Sequence, residues 1–117
     1  MDECLRNRTV NILGSEWSIE FCRLGSDRDG DCSFTDRHIR VRDNNYDDGD
    51  GPVKDFARIQ RKALRHEIIH AYMAESGLAH DWVHYPFTGH DETIIDWYAI
   101  QAPRIYATFT ECGCLED

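Results

Sequence analysis

Apolar and polar positions alternate over Trp17-Ser18-Ile19-Glu20-Phe21-Cys22-Arg23-Leu24. A period of two belongs to a strand with one buried face. Ahead of it, Thr9-Val10-Asn11-Ile12-Leu13 reads as a first strand, and Gly14-Ser15 between the two runs suits a hairpin. Ser33-Phe34-Thr35 and His38-Ile39-Arg40-Val41-Arg42 give a third strand broken at Asp36-Arg37, with Ile39 and Val41 on one face. Beyond Pro52 the period changes. Val53, Phe56, Ala57, Gln60, Ala63, Leu64, Ile68 and Ala71 recur at three and four, which predicts a helix over 53–76 with an apolar stripe toward the sheet. Pro52 suits its first turn and Gly77 its end. A second helix is expected after a capping box at Thr88-Gly89-His90-Asp91. Its stripe is Ile94, Ile95, Tyr98, Ala99, Ala102, Ile105 and Phe109, and Pro103 should kink or restart it.

The order β-β-β-α-α predicts an α+β fold. A small antiparallel three-stranded sheet is followed by two helices packed on one of its faces. At 117 residues the chain is expected to form a single domain over 1–117.

The connections carry less information. Residues 25–31 form a turn-rich acidic loop. Asp27, Asp29 and Asp31 mimic the start of a calcium loop, but its sixth position is Cys32 and its twelfth His38, where that loop needs glycine and glutamate. An acidic turn is therefore expected. Residues 43–52 are rich in Asp, Asn and Gly without an apolar period, a loop long enough to serve as a lid.

Charge and cysteine content narrow the classes. A net charge of −9 speaks against non-specific nucleic-acid binding. No run approaches the apolar length of a membrane span, and 1–6 does not have the basic-then-apolar pattern of a secretory leader. A cytoplasmic protein without nucleic-acid or membrane partners is expected. Five cysteines, Cys4, Cys22, Cys32, Cys112 and Cys114, are then expected as free thiols. Cys22 and Cys32 fall on strands that can be neighbours, and Cys112-Gly113-Cys114 on a frayed end. Arg58, Arg61, Lys62 and Arg65 form one basic face of the first helix, most simply a solvated one.

The candidate chemistry lies in Arg65-His66-Glu67-Ile68-Ile69-His70-Ala71. Residues i and i+4 share a helix face, so His66 and His70 can aim two imidazoles at one point. Zinc takes neutral imidazole nitrogens at about 2.0–2.1 Å. Glu67, next round the helix, is placed to act as general base on a metal-activated water. A catalytic zinc needs three protein ligands and an open position. Glu92, His90, Asp96, His80, His84 and Glu75 are the candidates for the third. Glu92 is the choice: it opens the second helix, and Asp96, on the same face four residues on, can orient a ligand histidine. His90 is the runner-up. His84 and Tyr85 are candidates for substrate or oxyanion contacts.

His66-Glu67-x-x-His70 followed by Glu92-x-x-x-Asp96 resembles the gluzincin metallopeptidases. It is similar as well to the small phage and mobile-element zinc peptidases of the ImmA/IrrE type. The likeness spans residues 33–106, and Ser76 stands where the metzincin branch has a third histidine. The second motif reads Asp96-Trp97-Tyr98-Ala99, a departure from the immunity peptidases. The resemblance implies a zincin-like fold and a zinc-dependent peptidase acting on a peptide or protein substrate. It implies substrate pairing along the third strand, so that 33–41 lines the cleft. The alternative from another class is a non-catalytic zinc-bearing interaction module of a phage or mobile element.

Overall fold

The computed structural model describes residues 5–78 and 92–116. Four strands, β1 (Arg8–Ile12), β2 (Ser15–Cys22), β3 (Gly30–Ser33) and β4 (His38–Arg42), precede two helices, α1 (Phe56–Glu75) and α2 (Glu92–Glu111). The fold is α+β as expected, but the sheet is four-stranded and mixed, in the order β1-β2-β4-β3. β1 and β2 form the expected antiparallel hairpin, with Val10 opposite Trp17. β2 and β4 run parallel, with Ile19 beside Ile39 and Phe21 beside Val41. β3 pairs antiparallel with β4 alone and forms an edge.

Two expectations are corrected here. The broken third strand is two strands, because the turn at 34–37 sends the chain back. Its first half also begins earlier, inside the expected acidic turn, so Gly30 and Asp31 are sheet residues. And Cys22 and Cys32 are not on neighbouring strands, since β4 lies between them.

One sheet face is apolar. Val10, Ile12, Trp17, Ile19, Phe21, Ile39 and Val41 pack against Leu64, Ile68, Ala71 and Tyr72 of α1 and Ile105 and Phe109 of α2. The other face is polar: His38 bridges Ser18 (2.5 Å) and Glu20 (3.0 Å), and Arg40 bonds Asp31. The acidic turn is neutralised by arginines, Arg28 holding Asp27 and Asp31. That leaves the calcium pattern without free carboxylates at Asp27 and Asp31.

α1 starts three residues later than its apolar period suggests. Asp55 precedes it in the left-handed region (φ 54°) without a side-chain cap, and Pro52 instead bridges to Asp47. The 43–52 loop is a hydrogen-bonded turn: Asp47 accepts from the N–H groups of Gly49 and Gly51. Arg42 stacks over Tyr46 at 4.7 Å. Gly77 ends α1 at φ 85°, as expected of a C′ glycine.

α2 is one continuous helix through Pro103, with no restart. It runs antiparallel to α1: Trp97 bonds Ser76, Tyr72 bonds Thr108, and Arg65 bonds the carbonyl of Cys114. Its end is a Schellman turn about Gly113 (φ 68°), with the N–H of Cys114 on the carbonyl of Phe109 and that of Gly113 on Thr110. Cys112 and Cys114 are fully buried there, so this end is packed rather than frayed. The basic face of α1 is not simply solvated either, because Arg61 and Arg65 bond backbone carbonyls of the chain end. No described helix is long and apolar enough to cross a membrane.

Candidate metal centre

His66 and His70 stand one turn apart on α1, a consequence of the 3.6-residue repeat. Their Nε2 atoms are 3.2 Å apart and their rings 4.8 Å between centroids. Two nitrogens bound to one tetrahedral zinc at about 2.05 Å stand about 3.3 Å from each other, so the pair already has the spacing of two ligands. Glu67 completes the group: one ligand atom from each of the three residues lies within 4.8 Å of the others. His66, Glu67 and His70 could therefore hold a metal ion.

The three differ in exposure. His66 is exposed, His70 half-buried and Glu67 buried. Burial pushes the Glu67 carboxyl up to about 7, and the Asp31 charge adds to it. Burial also lowers His70, helped by His66. A neutral imidazole is the form that ligates a metal. A carboxyl tuned to about 7 suits proton transfer near neutral pH.

Glu67 owes its burial to β3. A methyl carbon built on Gly30 would lie 3.2 Å from the Cγ and Oε2 of Glu67 and 2.9 Å from the carbonyl of Arg40. Only a residue without a side chain lets the edge strand come this close to the helix. Cys32, two residues on, has its thiol pushed up to about 12 by burial and by the charges of Glu67 and Asp31. A hollow of about 330 Å³ opens at this edge, lined by Arg28, Gly30, Ile59, Lys62, His66 and Glu67 among others.

The chain matches no protein-family model, no curated protein and no solved structure. The likeness to gluzincin peptidases thus rests on the motif residues themselves.

Among those, His66, Glu67 and His70 are brought together. Glu75 is not with them. Its carboxylate accepts from Trp17 Nε1 (2.8 Å), Ser15 Oγ (3.1 Å) and Arg37 Nε (2.6 Å), a structural tie between the sheet and the end of α1. Glu92 is the first residue of α2, and Asp96 stands one turn on; their side chains lie outside the described residues. Antiparallel pairing sets Trp97 against Ser76. His80, His84, Tyr85 and His90 also lie outside the described residues. The edge expected at 33–41 is instead Gly30–Ser33, while His38–Arg42 is paired on both sides. Gly30, Arg28 and Lys62 were not singled out as site residues by sequence. Asp-Gly-Asp reads as a turn whether or not its glycine is pressed against a helix.

Proposed function

We propose that the chain is a zinc-dependent peptidase. The observation that carries the reading is the pair of imidazole nitrogens at 3.2 Å with the buried Glu67 carboxylate beside them. Zinc held there would supply Lewis acidity, acidifying a coordinated water and polarising a substrate carbonyl. Glu67 takes the proton as the water oxygen attacks the peptide carbon, and returns it to the leaving nitrogen. β3 pairs on one side only among the described strands, so an extended peptide can add to its open edge across His66 and Glu67.

The third protein ligand is proposed to be one of the five candidates that follow α1: His80, His84, His90, Glu92 or Asp96. Glu92 is the choice made on sequence, with His90 the runner-up. Elemental analysis of the five alanine variants identifies the ligand as the one whose loss lowers zinc content. Glu67→Gln tests the chemistry. It should retain zinc and lose turnover across a peptide library. A fully active Glu67→Gln protein overturns the reading. Zinc bound by a wild type that cuts nothing supports instead a zinc-bearing binding module.

A further inference from the structure

The hollow that ends on His66 and Glu67 runs back along α1 past Ala63, Lys62 and Ile59, with Arg28, Asp29 and Gly30 facing them. Its charges are not equivalent. Arg28 is engaged by Asp27 at 2.9 Å and Asp31 at 3.3 Å. Asp29 faces the buried guanidinium of Arg42 at 3.8 Å. Lys62 is exposed and makes no ion pair with any described residue. It lies four residues before His66, on the same helix face and about 6 Å of rise away. A strand advances about 3.3 Å per residue, so an extended segment crossing His66 would bring a side chain to Lys62 about two residues from the reacting carbonyl.

We propose that Lys62 is a specificity-determining residue, selecting polypeptide segments that carry a carboxylate one or two residues from the bond to be cut. This rests on the peptidase reading above. The carboxylate can belong to an Asp or Glu side chain or to a free C-terminus; the chemistry at the ammonium is the same. The long-range field works the other way. A net charge of −9 repels acidic peptides and draws basic ones. A preference for a carboxylate therefore has to come from a local cation, and Lys62 is the one in the groove that no described acid neutralises.

The test uses the full chain as its Glu67→Gln variant with added zinc, so that nothing is consumed. Three fluorescent octapeptides are compared by anisotropy at low salt. One carries two central Glu residues and an amidated end, one has Gln in their place and a free end, and one has Gln and an amidated end. One of the two carboxylate peptides should bind about five- to tenfold tighter than the neutral one, the range of an exposed charge-assisted contact. Which one binds tells side chain from terminus. The gap should close in Lys62→Ala, invert in Lys62→Glu when Lys replaces the central Glu, and shrink at high salt. Lys62 is exposed, so neither substitution endangers the fold. Equal affinities, a gap that survives Lys62→Ala, or no binding by any peptide overturns the assignment. Wild-type cleavage of unfolded casein is followed in parallel. Cleavage without a carboxylate preference removes Lys62's role alone; a preference without cleavage removes the peptidase reading and leaves recognition at Lys62 standing.

Discussion

Gly30 on the edge strand lies against Glu67 on α1, so close that a methyl carbon at position 30 would stand 3.2 Å from the carboxylate oxygen Oε2. A still closer contact, 2.9 Å, would be made with the backbone carbonyl of Arg40 on β4. Glu67 can turn aside; the β4 backbone cannot. Gly30→Ala should therefore cost about 1–3 kcal/mol in urea unfolding, the usual range for overpacking. Trimming Glu67 to Ala in the same chain should restore only a minor part of that. Full restoration by the double variant would show that the side chain, not the strand, sets the distance.

Zinc should stabilise the protein through His66 and His70. At a hundredfold excess over its Kd, a ligand bound only by the folded state adds about 2.7 kcal/mol. The matching rise in Tm should vanish in His66→Ala and in His70→Ala, and be reversed by a chelator. Because His66 is exposed, its alanine variant should melt like the metal-free wild type. A zinc-dependent rise that persists in both variants would place the metal elsewhere.

Glu75 should give the fold an acid-sensitive tie. Burial works against its charge, but hydrogen bonds from Arg37, Trp17 and Ser15 outweigh that and hold the carboxyl below its ordinary 4.5. The unfolded chain then binds the proton more tightly than the folded one. The contribution is fully present above 4.5 and is lost as pH falls through the lower folded value. Urea midpoints taken down an acid series should fall more steeply for the wild type than for Glu75→Gln. At neutral pH the variant should be less stable by about 1–3 kcal/mol, because partly buried donors lose a charged acceptor.

The thiols of Cys32, Cys112 and Cys114 are held up to about 12, 11 and 12, chiefly by burial. At pH 8 the thiolate fraction of such groups is on the order of one in a thousand or less. Site-resolved alkylation of the native protein should leave all three largely unmodified, and denaturant should expose them. Fast labelling of Cys112 or Cys114 in the native state would show the turn after α2 to be open.

What could be read from the residues was what local rules govern. The β1–β2 hairpin follows from the apolar runs on either side of Gly14, the end of α1 from Gly77, and the histidine pair from a four-residue spacing. The features that escaped depend on partners distant in the chain. β3 has no alternating pattern, and each of its four residues is half-buried, so Gly30 and Asp31 look like turn residues until β4 is laid beside them. The parallel pairing of β2 and β4 leaves no mark in either sequence. The start of α1 hangs on Asp55 in a left-handed conformation, which no helix-start rule favours. Cys112 and Cys114 look terminal because their burial comes from joining a core whose other members lie far earlier in the chain.

Arg61 and Arg65 donate to the carbonyls of Cys114 and Glu116, which are main-chain oxygens. A clasp on main-chain oxygens is indifferent to spelling. Leu115 and Glu116, both exposed, can change to most other residues without loosening it. Length is another matter: a chain stopped after Gly113 would withdraw every one of those oxygens at once, on the helix that carries His66.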